Sequence, residues 1–248
     1  MMRAAEEYKR YNDIHIRNMD GLKMLRGFPD GMFDAMITDP PYAMGATLSA
    51  KAAGTSTKYS SNKRCNPYPD FDGDSMDQRS WTFMMSDVLR EAKRVCRSGA
   101  VCAIFIDWRQ LPSLTDAMQR AGWIWRGVAV WDKVNARPQR GRFTQQAEFI
   151  VWGSNGRLPI DRPVPVLPGV FSVFGGNIPD RIHQTQKPLE LMRQIVKICV
   201  PGGVILDPFA GSGTTLLAAR MEGYSAFGAD SNPAIAKAAA ERLRITME

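Results

Sequence analysis

The chain is 248 residues long and 44% hydrophobic, with 32 Lys and Arg against 25 Asp and Glu, a net charge of +7. It is long enough for one sizeable α/β domain, no apolar run approaches a membrane span, and the basic balance favours an anionic partner such as nucleic acid. The four cysteines, Cys65, Cys96, Cys102 and Cys199, include no CxxC pair, so neither a zinc knuckle nor a disulfide framework is indicated, and no metal is expected.

Residues 1–10 are charged and lack the apolar core of a signal peptide, so a cytoplasmic protein is expected. Ile14 to Arg17 alternate like a short strand. The turn Asn18-Met19-Asp20-Gly21 follows, and Leu22, Met24 and Leu25 begin a short helix with Asp20 placed as its N-cap. Phe33 to Thr38 read as a buried strand feeding into the turn Asp39-Pro40-Pro41-Tyr42. An ionised Asp offers only acceptors, and Pro40 adds a carbonyl with no competing N–H, so this turn presents two acceptors to one amino group. Pro41 fixes its own φ and drives Pro40 towards an extended conformation, which leaves little ordering entropy to lose. Tyr42 supplies a flat face on which a base stacks.

Regular patterning fails over residues 43–77, which carry Lys51, Lys58, Lys63 and Arg64; the stretch is either a mobile basic loop that closes over nucleic acid or a solvated insertion. Ser80 to Arg97 form an amphipathic helix ended by Gly99, and Val101 to Ile106 an inner strand. A helix over Gln110 to Ala121 leads to a strand over Trp123 to Trp131. Lys133, Arg137, Arg140 and Arg142 then fall in a stretch without acids, either a DNA-contact segment or a solvated basic loop. Phe143 to Trp152 contain a further strand. Residues 153–182 are rich in Pro and Gly and break any long element.

Pro188 suits the first turn of a helix with Leu191, Ile195 and Ile198 on its buried face. Gly202 to Asp207 are a turn and an apolar strand, Thr214 to Arg220 a helix, and Tyr224 to Ala229 a strand ending at Asp230. Asn232-Pro233 caps a last helix reaching about Leu243. Strands alternating with helices imply a mainly parallel sheet.

Asp39-Pro40-Pro41-Tyr42 together with Asp207-Pro208-Phe209-Ala210-Gly211-Ser212-Gly213-Thr214-Thr215 resemble the S-adenosylmethionine-dependent amino-methyltransferases of DNA, over most of the chain. The first motif precedes the second, as in the permuted group usually termed the β class. The resemblance implies a Rossmann-like α/β methyltransferase fold: one domain over residues 1–248, a mostly parallel twisted sheet with helices on both faces, and one antiparallel strand over Ala147 to Trp152. It implies methyl transfer to the exocyclic N6 of a flipped adenine in double-stranded DNA, with Asp39, Pro40, Pro41 and Tyr42 in the catalytic turn. N4 of cytosine presents the same amide-like amino group, RNA or protein glutamine is a further substrate class, and an inactive DNA-binding protein is the rival outside enzymes.

The same resemblance gives the donor site to Asp39, Asp207, Phe209, Gly211, Ser212 and Gly213. It adds Asp230, a shorter arm than the Glu common in the family, for the ribose hydroxyls, and Asp20 beside the adenine amino group of the donor. The stretch Thr185-Gln186-Lys187-Pro188 resembles the family's cofactor-binding motif, with Thr185 and Lys187 on the methionine carboxylate. Larger relatives place a recognition domain where this chain has residues 153–182, so recognition falls to loops, to the 43–77 insertion or to a second subunit of a homodimer. The host is expected to be bacterial, with the gene cellular or viral. No nuclease motif is present, so restriction would need another polypeptide.

Overall fold

The computed structural model describes residues 13–43, 76–175, 186–245 and 247. Its strands are β1 (Ile14–Asn18), β2 (Phe33–Thr38), β3 (Cys96–Ile106), β4 (Ile124–Asp132), β5 (Ala147–Ser154), β6 (Val170–Ser172), β7 (Val204–Asp207) and β8 (Ser225–Asp230). The helices are α1 (Gly21–Arg26), α2 (Gln78–Val95), α3 (Leu111–Arg120), α4 (Leu189–Ile195), α5 (Thr214–Met221) and α6 (Pro233–Leu243). All eight strands share one sheet in the order β1-β8-β7-β2-β3-β5-β4-β6. Only β5 runs against its neighbours, pairing antiparallel with both β3 and β4.

Period-two alternation sends each inner strand's side chains into two cores. Met36, Cys102, Ile104, Leu206 and Phe227 meet α1, α2 and α3 on one face, whereas Ala35, Ala103, Phe105, Ile205 and Ala226 meet α4, α5 and α6 on the other. Both faces of the sheet are therefore covered by helices, as the sequence implies.

Several boundaries differ from the sequence reading. Helix α2 ends at Val95, before Gly99, because Cys96 already pairs with Phe33 and the following residues bulge before Val101 meets Ala35. Gly99 (φ +79°) belongs to that bulge and donates to Asn155 at 2.8 Å. Within the Pro- and Gly-rich segment the short strand β6 extends the sheet beside β4, a pairing that three residues could not announce. Pro188 caps α4 from just outside it, and Met192 joins Leu191 and Ile195 in the core.

Among the described residues Cys96, Cys102 and Cys199 are free and buried. No described helix is long and apolar enough to cross a membrane. Most of the 43–77 stretch and residues 176–182 lie outside the described residues.

Candidate active site

Because β1, β2, β7 and β8 are parallel, their carboxyl ends and the turns after them share one rim of the sheet. Antiparallel β5 contributes to that rim with its first residues, and so presents Glu148 opposite Trp131, at the carboxyl end of β4.

Two turns meet at the centre. The Thr38 hydroxyl donates to Asp207 Oδ1 at 2.6 Å, joining the end of β2 to the end of β7. Asp207 Oδ1 also accepts from the Phe209 N–H at 3.1 Å, which closes the turn entering the glycine-rich segment. Burial pushes the Asp207 carboxyl up to about 6 against the opposing hydrogen bonds from Thr215 and Thr38. Gly211 (φ +51°) and Gly213 (φ +73°) turn left-handed, and a Cβ on Gly213 would also press Leu243 at 3.2 Å. The next turn is tied in by Asp230, which accepts from Gly211 N–H at 3.1 Å and Asn232 N–H at 2.8 Å. Asp20 caps α1 through the Lys23 N–H at 2.8 Å. Beside it Gly21 packs so closely on the Pro208 carbonyl that a Cβ would stand 2.3 Å from that oxygen.

The turn from Asp39 to Tyr42 is pinned from behind by Trp81, whose indole N–H donates to the Pro41 carbonyl at 2.6 Å. Its carboxylate lies in a polar cluster. Asp39 Oδ1 accepts from the Tyr42 hydroxyl at 2.7 Å and Oδ2 from Lys187 Nζ at 2.6 Å. Glu148 Oε1 stands 2.6 Å from the Tyr42 hydroxyl and 2.8 Å from Lys187 Nζ, and Oε2 stands 2.8 Å from Lys133 Nζ. Burial raises Asp39 above the ordinary carboxylate range against the pull of Lys187, and Glu148 adds to the rise. Burial would raise Glu148 too, but Lys187 and Lys133 outweigh it and draw it down to about 2.

One cleft is lined by both turns: Asp39, Gln186 and Lys187 on one side, and Asp207, Phe209 and Gly211 on the other. Ser212 lines it too, with its hydroxyl 3.1 Å from that of Thr214. A Cβ built on Gly211 would meet no atom within 4 Å, so the glycine-rich turn opens onto space a ligand can enter. A buried acid, a glycine cradle and a second acid at the next strand end fit an adenosyl group with a charged amino-acid tail.

The structure brings Asp39, Pro40, Pro41, Tyr42, Lys187, Asp207 and the glycine turn together, with Asp20 and Asp230 along the same rim. Lys187, expected on a carboxylate of the donor, has its ammonium in the Asp39 cluster while its side chain lines the cleft. Thr185 lies outside the described residues. Lys133 turns inward onto Glu148, whereas Arg137, Arg140 and Arg142 are exposed on the segment between β4 and β5, with the fully exposed Phe143 beside them. Sequence reasoning missed Glu148, Trp81 and Thr38. Glu148 carried one signal, as the sole acid between Asp132 and Asp161, set in an otherwise apolar strand.

The matched glycine-rich and Asp-Pro-Pro-Tyr turns on a methyltransferase-type sheet are those of an enzyme, and the comparisons give its class. The DNA methylase family (N6_N4_Mtase) matches residues 33–163 and 168–241, and the chain belongs to that family. It is 25% identical over 226 residues to YubD of Escherichia coli strain K12, provisionally named a methylase, covering 90% of this chain and 87% of that one. It is 24% identical over 261 residues to the type II methyltransferase M2.DpnII of Streptococcus pneumoniae, covering 98% and 94%. Among solved structures, that of M1.HpyAVI with SAM superposes with a TM-score of 0.68 at 21% identity, covering 94% of this chain and 100% of that one. The cytosine-N4-specific PvuII DNA methyltransferase gives 0.69 at 13% identity, covering 93% and 86%. The methyltransferase fold is common to both, and the neighbours include an enzyme that modifies cytosine.

Proposed function

We propose that this protein is a permuted, β-class DNA methyltransferase that moves a methyl group from S-adenosylmethionine to the exocyclic N6 of adenine. The observation that carries this reading is the cleft lined on one side by Asp39 and on the other by the turn from Asp207 to Ser212. When bound, S-adenosylmethionine supplies an electrophilic methyl group on a sulfonium. The protein's own task is to make a poor nucleophile attack it.

An exocyclic amino nitrogen has its lone pair delocalised into the ring. Asp39 and the Pro40 carbonyl accept its two N–H bonds and draw it towards a tetrahedral geometry, in which positive charge develops and those bonds strengthen. The nitrogen would form the N–C bond as the C–S bond breaks with its electron pair going to sulfur, and one amino proton would pass to the Asp39 carboxylate that accepts its N–H and from there to solvent. Tyr42, held by its hydroxyl, offers a ring face for the base once it is flipped out of the stack. Asp230 and Asp20 are assigned to the adenosyl group, and Thr185 and Lys187 to its amino-acid tail. Lys133, Arg137, Arg140 and Arg142 make the DNA-contact segment, in which Lys133 anchors the root and the arginines meet phosphates. We read the chain as one methyltransferase domain, with residues 43–77 and 153–182 in place of a recognition domain and a homodimer as the form that covers a site.

The test is incubation with tritiated S-adenosylmethionine and unmethylated DNA, followed by digestion to nucleosides. Labelled N6-methyladenine is expected, and Asp39→Ala should abolish it while leaving donor binding largely intact. Labelled N4-methylcytosine would move the same chemistry to cytosine, and label in RNA or protein alone would overturn the substrate.

A further inference from the structure

Lys187 directs its ammonium to Asp39 Oδ2 at 2.6 Å, Glu148 Oε1 at 2.8 Å and the Tyr42 hydroxyl at 3.1 Å, and its side chain is 8% exposed. With Lys187 alone, Asp39 would be half of a neutral pair. A neutral pair does little for the positive charge that grows on an amino nitrogen during methylation. Glu148 is a second carboxylate on the same ammonium, and its remaining oxygen is paired with Lys133, whose side chain is 33% exposed and reached by solvent screening.

The donors in this cluster are also transferable. Tyr42 has one hydroxyl proton, with Asp39 Oδ1 at 2.7 Å and Glu148 Oε1 at 2.6 Å, so it donates to one carboxylate at a time. When Asp39 receives a substrate amino group, Glu148 can take both the Tyr42 hydroxyl and the Lys187 ammonium. No buried donor is then left unpaired, which removes the main cost of the exchange.

We propose that Glu148 is a positioning residue for methyl transfer: it draws the Lys187 cation and the Tyr42 hydroxyl off Asp39, so that Asp39 meets the target amino group as an uncompensated carboxylate. This rests on the amino-methylation reading above and assigns Glu148 a part in it through its neighbours. Among the described residues the ionisable groups facing Asp39 are Tyr42 from its own turn, Lys187 from just before α4, Glu148 from β5 and Asp207 from β7.

Two measurements on the full chain test it. In cofactor-free protein labelled with carboxyl-[13C]aspartate, with the resonance assigned through Asp39→Asn, Glu148→Gln should lower the Asp39 titration midpoint by on the order of one pH unit, because a like charge has been removed. In methyl transfer to DNA, Glu148→Gln should cost roughly tenfold to a hundredfold in kcat, but little or nothing in a Lys187→Met background, where there is no cation to draw away. An unmoved midpoint with equal losses in both backgrounds would reduce Glu148 to a structural prop and overturn the proposal. If the wild type methylates no DNA, the functional reading falls, and the Asp39 midpoint still decides what Glu148 does to that carboxylate.

Discussion

Thr38 and Asp207 stand 169 residues apart in the chain, yet the threonine hydroxyl and the carboxylate oxygen are 2.6 Å apart in a buried contact that fastens the Asp-Pro-Pro-Tyr turn to the glycine-rich turn. Thr38→Val keeps the shape and removes the donor. The loss should be about 1–3 kcal/mol of stability, the usual cost of leaving a buried charged acceptor short of a partner, read by urea unfolding. Donor affinity should fall with it, since the two walls of the cleft are no longer tied.

Asp207 also makes stability depend on pH in a defined direction. Its carboxyl lies at about 6 in the fold, against an ordinary value of 3.8, so between these values the folded protein keeps a proton that the unfolded chain has lost. The contribution of Asp207 to stability therefore falls as pH rises from about 4 to about 6, and levels off above. Asp207→Asn, which cannot ionise, should lack this slope. Its unfolding free energy relative to wild type should rise across that window and stay flat at higher pH.

Two glycines of the rim should fail in different ways when changed to alanine. Gly21→Ala places a methyl 2.3 Å from the Pro208 carbonyl oxygen, backbone that must move, and should cost about 1–3 kcal/mol in thermal unfolding. Gly211→Ala meets no atom within 4 Å, so its cost in the free protein is the left-handed backbone alone, about 1–2 kcal/mol. Its methyl enters the cleft, so calorimetric titration with S-adenosylmethionine should show the larger loss of affinity for Gly211→Ala.

Replacing Arg137, Arg140 and Arg142 together with alanine should leave thermal stability unchanged, since all three are exposed. DNA binding should weaken on every sequence. The slope of log K against log salt should shrink by up to about one for each phosphate contact removed, measured by fluorescence anisotropy across a salt series.

The sheet and both turns were legible because their signals are local. Phe33 to Thr38 and Val204 to Asp207 are short apolar runs closed by Pro- and Gly-rich turns, and the resemblance rested on those turns. Glu148 is marked in the sequence only as a lone acid: the resemblance implies that its strand runs antiparallel, but its place at the rim depends on the register with Trp131, which the whole sheet sets. The resemblance of Thr185-Gln186-Lys187-Pro188 assigns Lys187 to the donor, and what it leaves out is the bond of its ammonium to Asp39, 148 residues earlier in the chain. The helix boundary at Val95 escaped for a related reason: glycine is a common stop signal, but pairing of Cys96 with Phe33 ended α2 first. Asp20 suits both an N-cap and a donor contact in the sequence, and its bond to the Lys23 N–H fits the first without using every lone pair.

Strand β5 is held between two antiparallel partners, and alternate residues along it face opposite cores. A slip of one residue would leave the strand content and the hydrogen-bond ladder nearly intact, yet it would turn Glu148 to the wrong side of the sheet, strand Lys133 without its carboxylate and leave Lys187 to Asp39 alone. Circular dichroism would hardly register such a misfolded population. Turnover on DNA would, so a refolded preparation is better judged by its active fraction than by its spectrum.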